Sequence, residues 1–175
     1  MRASGPSLRP WRALATVEPV AAGRRRERAG PAAGADQTCH DRRVSTESRH
    51  LSVYIERSVD DVDAFVSDPA NLPRWARGLG GDVVRTDEGW FVETPDGRAR
   101  VEFAAQNPFG VLDHEVRTPL GQTVHVPLRA LADGDGCEVV FTLRRAPGMS
   151  DDELERDAAQ VTGDLAQLKQ VLEHG

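Results

Sequence analysis

The side chains of this sequence whose types and spacing could do chemistry are His114, His125, Arg129 and Trp75. At a period of two, His114 falls between Leu112 and Val116 on the face those two share. Turned inward, its imidazole could hydrogen-bond a ligand carbonyl or act as a general base near neutral pH. The alternative is a core or rim histidine bonded to backbone. His125 would stand opposite His114 if Pro119 and Leu120 were the central pair of a tight turn. That register sends Val124, Val126 and Leu128 to the other face, so hydrophobic patterning favours His114 inside and His125 outside. Pro127 invites a bulge that could switch sides. Arg129 could grip a ligand carboxylate bidentately, or be a surface arginine. The amphipathic ring of Trp75 could cover a ligand, or pack its loop onto a sheet.

Other chemistry is hard to find. No serine elbow is present, no cysteine is placed with a histidine by a motif, and no cofactor fingerprint occurs. Beyond the two histidines no third ligand has convincing spacing, so no metal is expected. Asp133-Gly-Asp-Gly136 reads as a hairpin rather than a calcium loop, which needs further acids and a distal Glu. The Gly78-Leu-Gly-Gly81 run lacks the lysine and following helix of a phosphate loop.

The elements that must position these residues are well punctuated. Leu51, Val53 and Ile55 alternate with polar neighbours, as on a half-buried strand. Ser58 caps a short helix in which Val59, Val62, Phe65 and Val66 share a face, and Asp68-Pro69 stops it. Asn71 to Trp75 gives a second, shorter helical segment. Six strands are predicted next, near residues 82–87, 89–94, 98–106, 111–117, 122–132 and 137–145. Asp96-Gly97 marks one hairpin, and residues 107–110, 118–121 and 133–136 mark other turns. Ala99 and Ala105 flank Val101 and Phe103 on one strand face, a mixture of small and large side chains that fits either an internal space or ordinary packing.

Residues 150–175 then carry a strong helical period. At about 100° per residue, Leu154, Ala158, Val161, Leu165, Leu168 and Leu172 fall within about 40° of one line. Ser150 and Glu153 form a capping box, with Asp151 and Asp152 at the positive end. Such a stripe must lie on something apolar, and the strands before it supply a curved antiparallel sheet. The class is α+β: seven strands in a curved antiparallel sheet, two short helices after the first strand, and a long C-terminal helix.

Composition limits partners and place. The chain has 175 residues and a formal charge of −6, split between a basic stretch before residue 50 and an acidic remainder. An acidic folded part argues against a nucleic-acid surface. No stretch is apolar enough to span a membrane, no apolar run follows Gly23-Arg-Arg-Arg-Glu-Arg28, and Cys39 and Cys137 make no disulfide framework. A soluble cytoplasmic protein, monomer or homodimer, is expected. Residues 1–47, rich in Ala, Gly, Pro and Arg, read as a disordered extension, with Val44 as an alternative start. Residues 48–175 read as one domain.

The element order, together with Asp68-Pro-Ala-Asn-Leu-Pro-Arg-Trp75, Asp113-His-Glu-Val116 and Pro147-Gly-Met-Ser150, resembles the START-like or SRPBCC superfamily, in particular its polyketide cyclase/dehydrase-like subgroup. The resemblance covers about residues 48–175. It implies a helix-grip fold, in which the sheet wraps the C-terminal helix around an apolar cavity whose mouth the Trp75 segment borders. The expected function is binding of a small, mainly hydrophobic, lipid- or polyketide-like molecule. The candidate contacts are Trp75, Phe103, His114, Arg129, Ala158, Val161 and Leu165. A cofactor-free polyketide cyclase or dehydratase with His114 as general base is the first alternative. A protein-interaction module, marked by an exposed apolar patch beside the two short helices, is the second.

Overall fold

A computed structural model describes residues 47–79 and 81–175. The extension expected over residues 1–47, with its alternative start at Val44, lies outside the described residues except for Glu47. Strand β1 (Ser48–Ile55) leads into α1 (Val59–Val66), a 3-10 turn (Pro69–Asn71), α2 (Leu72–Trp75) and a second 3-10 turn (Arg77–Leu79). Then come β2 (Val83–Thr86), β3 (Gly89–Thr94), β4 (Gly97–Phe103), β5 (His114–Arg117), β6 (Thr123–Val126), β7 (Leu128–Asp133), β8 (Gly136–Arg144) and α3 (Asp151–His174). Among the described residues, no helix is long and apolar enough to cross a membrane.

The strands form two antiparallel sheets, β1-β8-β7 and β2-β3-β4-β5-β6, where seven strands in one sheet were expected. The difference is made by Pro127. It divides the stretch expected as one strand over residues 122–132, because it has no N–H to give to a ladder. The register nevertheless runs through without a bulge. His114 pairs with Val126, Leu112 N–H bonds Leu128 O at 2.9 Å, and Ala130 N–H bonds Gly110 O at 2.9 Å. On its other side Pro127 O accepts Thr142 N–H at 3.0 Å. Residues 123–133 are therefore a bent rib shared by both sheets. Asp113, opposite the proline, takes the Leu128 N–H that a regular ladder would give to Leu112 O: its Oδ1 accepts it at 2.8 Å and also the Arg129 guanidinium.

Two turns differ from expectation by one residue. The β5–β6 loop holds Pro119, Leu120 and Gly121 inside a Thr118–Gln122 closure, with Gly121 at φ +79. A type I turn followed by a left-handed residue makes this three-residue hairpin, and glycine adopts that conformation without penalty. The resulting register puts Glu115, not His114, opposite His125, which excludes the facing histidine pair. It also turns Val124 and Val126 to the side of Val116 and His114, as their hydrophobicity requires. In the β3–β4 hairpin, Thr94 pairs with Gly97, so the central residues are Pro95 and Asp96 rather than Asp96 and Gly97. A proline suits the first central position.

Helix α3 starts with the full capping box, in which Ser150 Oγ accepts Glu153 N–H and Glu153 Oε2 accepts Ser150 N–H. Leu154, Leu165 and Leu168 are at most 2% exposed. Each contributes roughly 1.5–3 kcal/mol by leaving water. The helix lies across β1 and against α2, so the sheet holds it along its apolar stripe. Its last turns are latched to the end of β1. Glu173 Oε1 accepts Glu56 N–H at 2.7 Å, and Lys169 Nζ donates to Tyr54 O at 2.8 Å.

Candidate functional site

Between the sheet, α2 and the middle of α3 lies a cavity of about 90 Å³. A void needs ~10–15 Å³ on this measure to seat one water, so this one has room for several. Its walls are mainly apolar: Ala76 and Leu79 from the α2 region, Val126, Phe141 and Leu143 from the strands, Val161 and Leu165 from α3. The polar residues on the wall are Trp75, His114, Asp157, Gln160 and Asp164, together with the backbone at Gly78.

Local sequence explains how each is held. Trp75 closes α2, whose approach is fixed by Asp68 capping Ala70 N–H at 3.0 Å and by Asn71 Nδ2 donating to Phe65 O at 2.9 Å. The ring is 4% exposed, yet its Nε1–H has no hydrogen-bond partner among the described residues. His114, at the start of β5, is 3% exposed and packs on Phe103, with ring centroids 4.6 Å apart. Its Nδ1 lies 3.3 Å from Leu112 O. A carbonyl can only accept, so Nδ1 carries the proton and Nε2 the lone pair. Burial pushes this imidazole down to about 4, against the Leu112 bond, with a lesser push from His125. At neutral pH it is uncharged.

Asp157 and Asp164 stand seven residues apart on α3 and so point within about 20° of each other around the helix. Asp157 is 6% exposed, and its Oδ2 lacks a partner among the described residues. Burial lifts its carboxyl to about 6, opposed by Arg156 and assisted by Glu153. Burial also raises Asp164 to about 6, against hydrogen bonds from Gly78 N–H and Gln160. The Gly78 contact, 3.3 Å to both carboxylate oxygens, depends on glycine: a Cβ there would lie 2.7 Å from Asp164 Oδ2 and 2.8 Å from Gln160 Cγ.

Of the residues singled out in the sequence, Trp75, His114, Val161 and Leu165 come together on this wall. Three do not. Phe103 supports His114 from behind and is half-buried. Arg129 is engaged by Asp113, beside His125 Nε2 at 3.8 Å from Asp113 Oδ2, so it is not a free anion grip. Ala158 belongs to a smaller cluster with Leu143, Met149 and Leu154. Ala105, expected to share a face with Ala99, is exposed beyond the end of β4. Among the described residues the large exposed hydrophobics are Tyr54, Phe109, Leu120 and Leu131; the Phe109 loop runs beside α1, where Gly110 lies against Val59.

Asp157, Gln160 and Asp164 were missed. Measured from Leu154 at about 100° per residue, Asp157 and Asp164 sit at about 60° and 80° on the same side of the stripe. An acid inserted between Leu154 and Val161 at i+3 and i+4 spacing was the available signal.

No family model matches this chain, and no curated protein matches it. Solved structures do match in shape. DynU16, from the dynemicin biosynthetic locus, is 20% identical with a TM-score of 0.56 over 73% of this chain and 48% of that one, so the chain spans about half of DynU16. The Aha1 dimer from Colwellia psychrerythraea is 14% identical with a TM-score of 0.55, over 74% of this chain and 98% of that one. CalU16 from Micromonospora echinospora is 19% identical with a TM-score of 0.51, covering 73% and 75% respectively. The antiparallel sheets, the long gripped helix and these likenesses together identify the fold as a helix-grip fold.

Proposed function

We propose that this protein binds a small, mainly apolar molecule in the cavity between its sheet and α3. The observation that carries the reading is the cavity itself, apolar on most of its wall and bordered by a few buried polar groups, the usual composition of a small-molecule site. Hydrophobic contact supplies affinity; Trp75, His114 and Asp157 supply orientation. The test titrates a small neutral aromatic, indole, followed by calorimetry. Saturable one-to-one binding is expected in the native chain, with loss in Val161→Trp, which fills the cavity from α3. Equal binding by both proteins overturns the proposal.

A second reading, cofactor-free cyclisation or dehydration of a polyketide-like substrate, is favoured by one observation. The His114 imidazole is held neutral on the cavity wall with its tautomer set by Leu112, which leaves Nε2 as a proton acceptor. A His114→Gln variant that turns over such a substrate at the native rate removes this reading.

A further inference from the structure

The polar groups on the cavity wall share a sign. Asp157 and Asp164 present carboxylates two turns apart on one side of α3, and His114 contributes an uncharged imidazole. Among the described residues no lysine or arginine lines the cavity. The cations nearest the two acids, Arg77 and Arg156, are exposed and lie outside the wall. Asp164 is satisfied by Gly78 and Gln160, whereas Asp157 is not: one oxygen of a nine-tenths buried carboxyl is left without a donor. A buried carboxylate in that state is costly unless a cation or a donor arrives to compensate it. Trp75, on the same wall, has a buried Nε1–H without an acceptor among the described residues. A carboxylate or phosphate head in this space would be repelled by both acids, whereas a protonated amine would compensate them.

We infer that the cavity selects an apolar molecule bearing a protonated amine, taken up by Asp157, and rejects molecules with an anionic head. This rests on the binding role proposed above and assigns the ligand's charge. The raised carboxyl of Asp157 agrees with it, because desolvation without a partner is what lifts it.

Three molecules of one shape separate the possibilities: 2-phenylethylamine, 2-phenylethanol and phenylacetate. They are titrated at pH 8 into the full chain, following the indole N–H signal of Trp75, identified among the three tryptophans by its loss in Trp75→Phe. The amine is expected to bind at least about tenfold more tightly than phenylacetate, a preference worth about 1.4 kcal/mol. Asp157→Asn, nearly the same shape, is expected to cost the amine about tenfold, so that its preference over phenylacetate is lost. Phenylacetate binding as tightly as the amine, or an amine affinity unmoved by Asp157→Asn, overturns the inference while binding of the alcohol keeps the cavity reading intact. If none of the three perturbs Trp75, both readings fall together. The ligand series on the unaltered chain decides the charge preference even if the variant is unstable.

Discussion

The middle and the last turns of α3 are built for opposite ends. The last turns are closed: Leu168 is buried, and Lys169 and Glu173 tie them to β1 through backbone partners. The middle, from Asp157 to Leu165, faces the cavity: Val161 is half-buried on its wall, and Asp157 is buried with one oxygen unsatisfied among the described residues. One continuous helix thus places cohesive contacts in its last turns and its unsatisfied polar group in its middle. Sites are commonly supported in this way, with local cost carried by a rigid surrounding.

The comparison is broken most severely at the closed end. Leu168→Ala should cost about 2–5 kcal/mol in urea denaturation, whereas Val161→Ala, on the open wall, should cost under about 1.5 kcal/mol. Equal losses would mean that the last turns and the middle are packed alike. Acid should act next. His114 titrates near 4 in the folded chain against 6.5 unfolded, so between those values the unfolded state binds the extra proton. Its contribution is intact above about pH 6.5 and falls as pH drops, reaching about 3 kcal/mol near pH 4. Denaturation curves of His114→Phe across that window should lack this component.

Asp157 has the reverse sign. Its carboxyl is raised, so the folded state holds the proton between 3.8 and about 6, and stability is lost as pH rises through that range. Asp157→Asn should therefore stabilise the chain at pH 8, by about 1–2 kcal/mol, and should have little effect at pH 3.5. Destabilisation at pH 8 would show that the carboxylate is already compensated. The smallest effect is expected at the helix start, where Ser150→Ala removes the acceptor for Glu153 N–H and should cost about 1 kcal/mol.

Much of the fold was legible because its signals are local and periodic. The leucine stripe of α3, its capping box and the alternating residues of β1 need only the geometry of helix and strand. Pro127 was legible as a disturbance but not in its effect, since whether a proline bulges or merely interrupts a ladder depends on the strand opposite. Here the pairing keeps its register past the proline, and Asp113 from the opposite side accepts the Leu128 N–H. The site was less legible. Trp75, His114, Val161 and Leu165 could be proposed from pattern, but Arg129 was spent on an internal ion pair that no spacing reveals. Asp157 and Asp164 looked like the solvated flank of an amphipathic helix. Asp164 is met by the Arg77–Leu79 turn, whose Gly78 N–H bonds it, a tertiary event more than seventy residues away in sequence.

The capping box has a consequence for the cavity it does not touch. Because Ser150 fixes where the helix begins, it also fixes the rotational phase of every side chain downstream. One residue inserted between Ser150 and Asp157 would turn the remainder by about 100° relative to the cap. The Glu173 latch would hold the far end in its old setting, so the rod could satisfy one anchor or the other but not both. Clocked from two ends, α3 can aim its acids in a single direction.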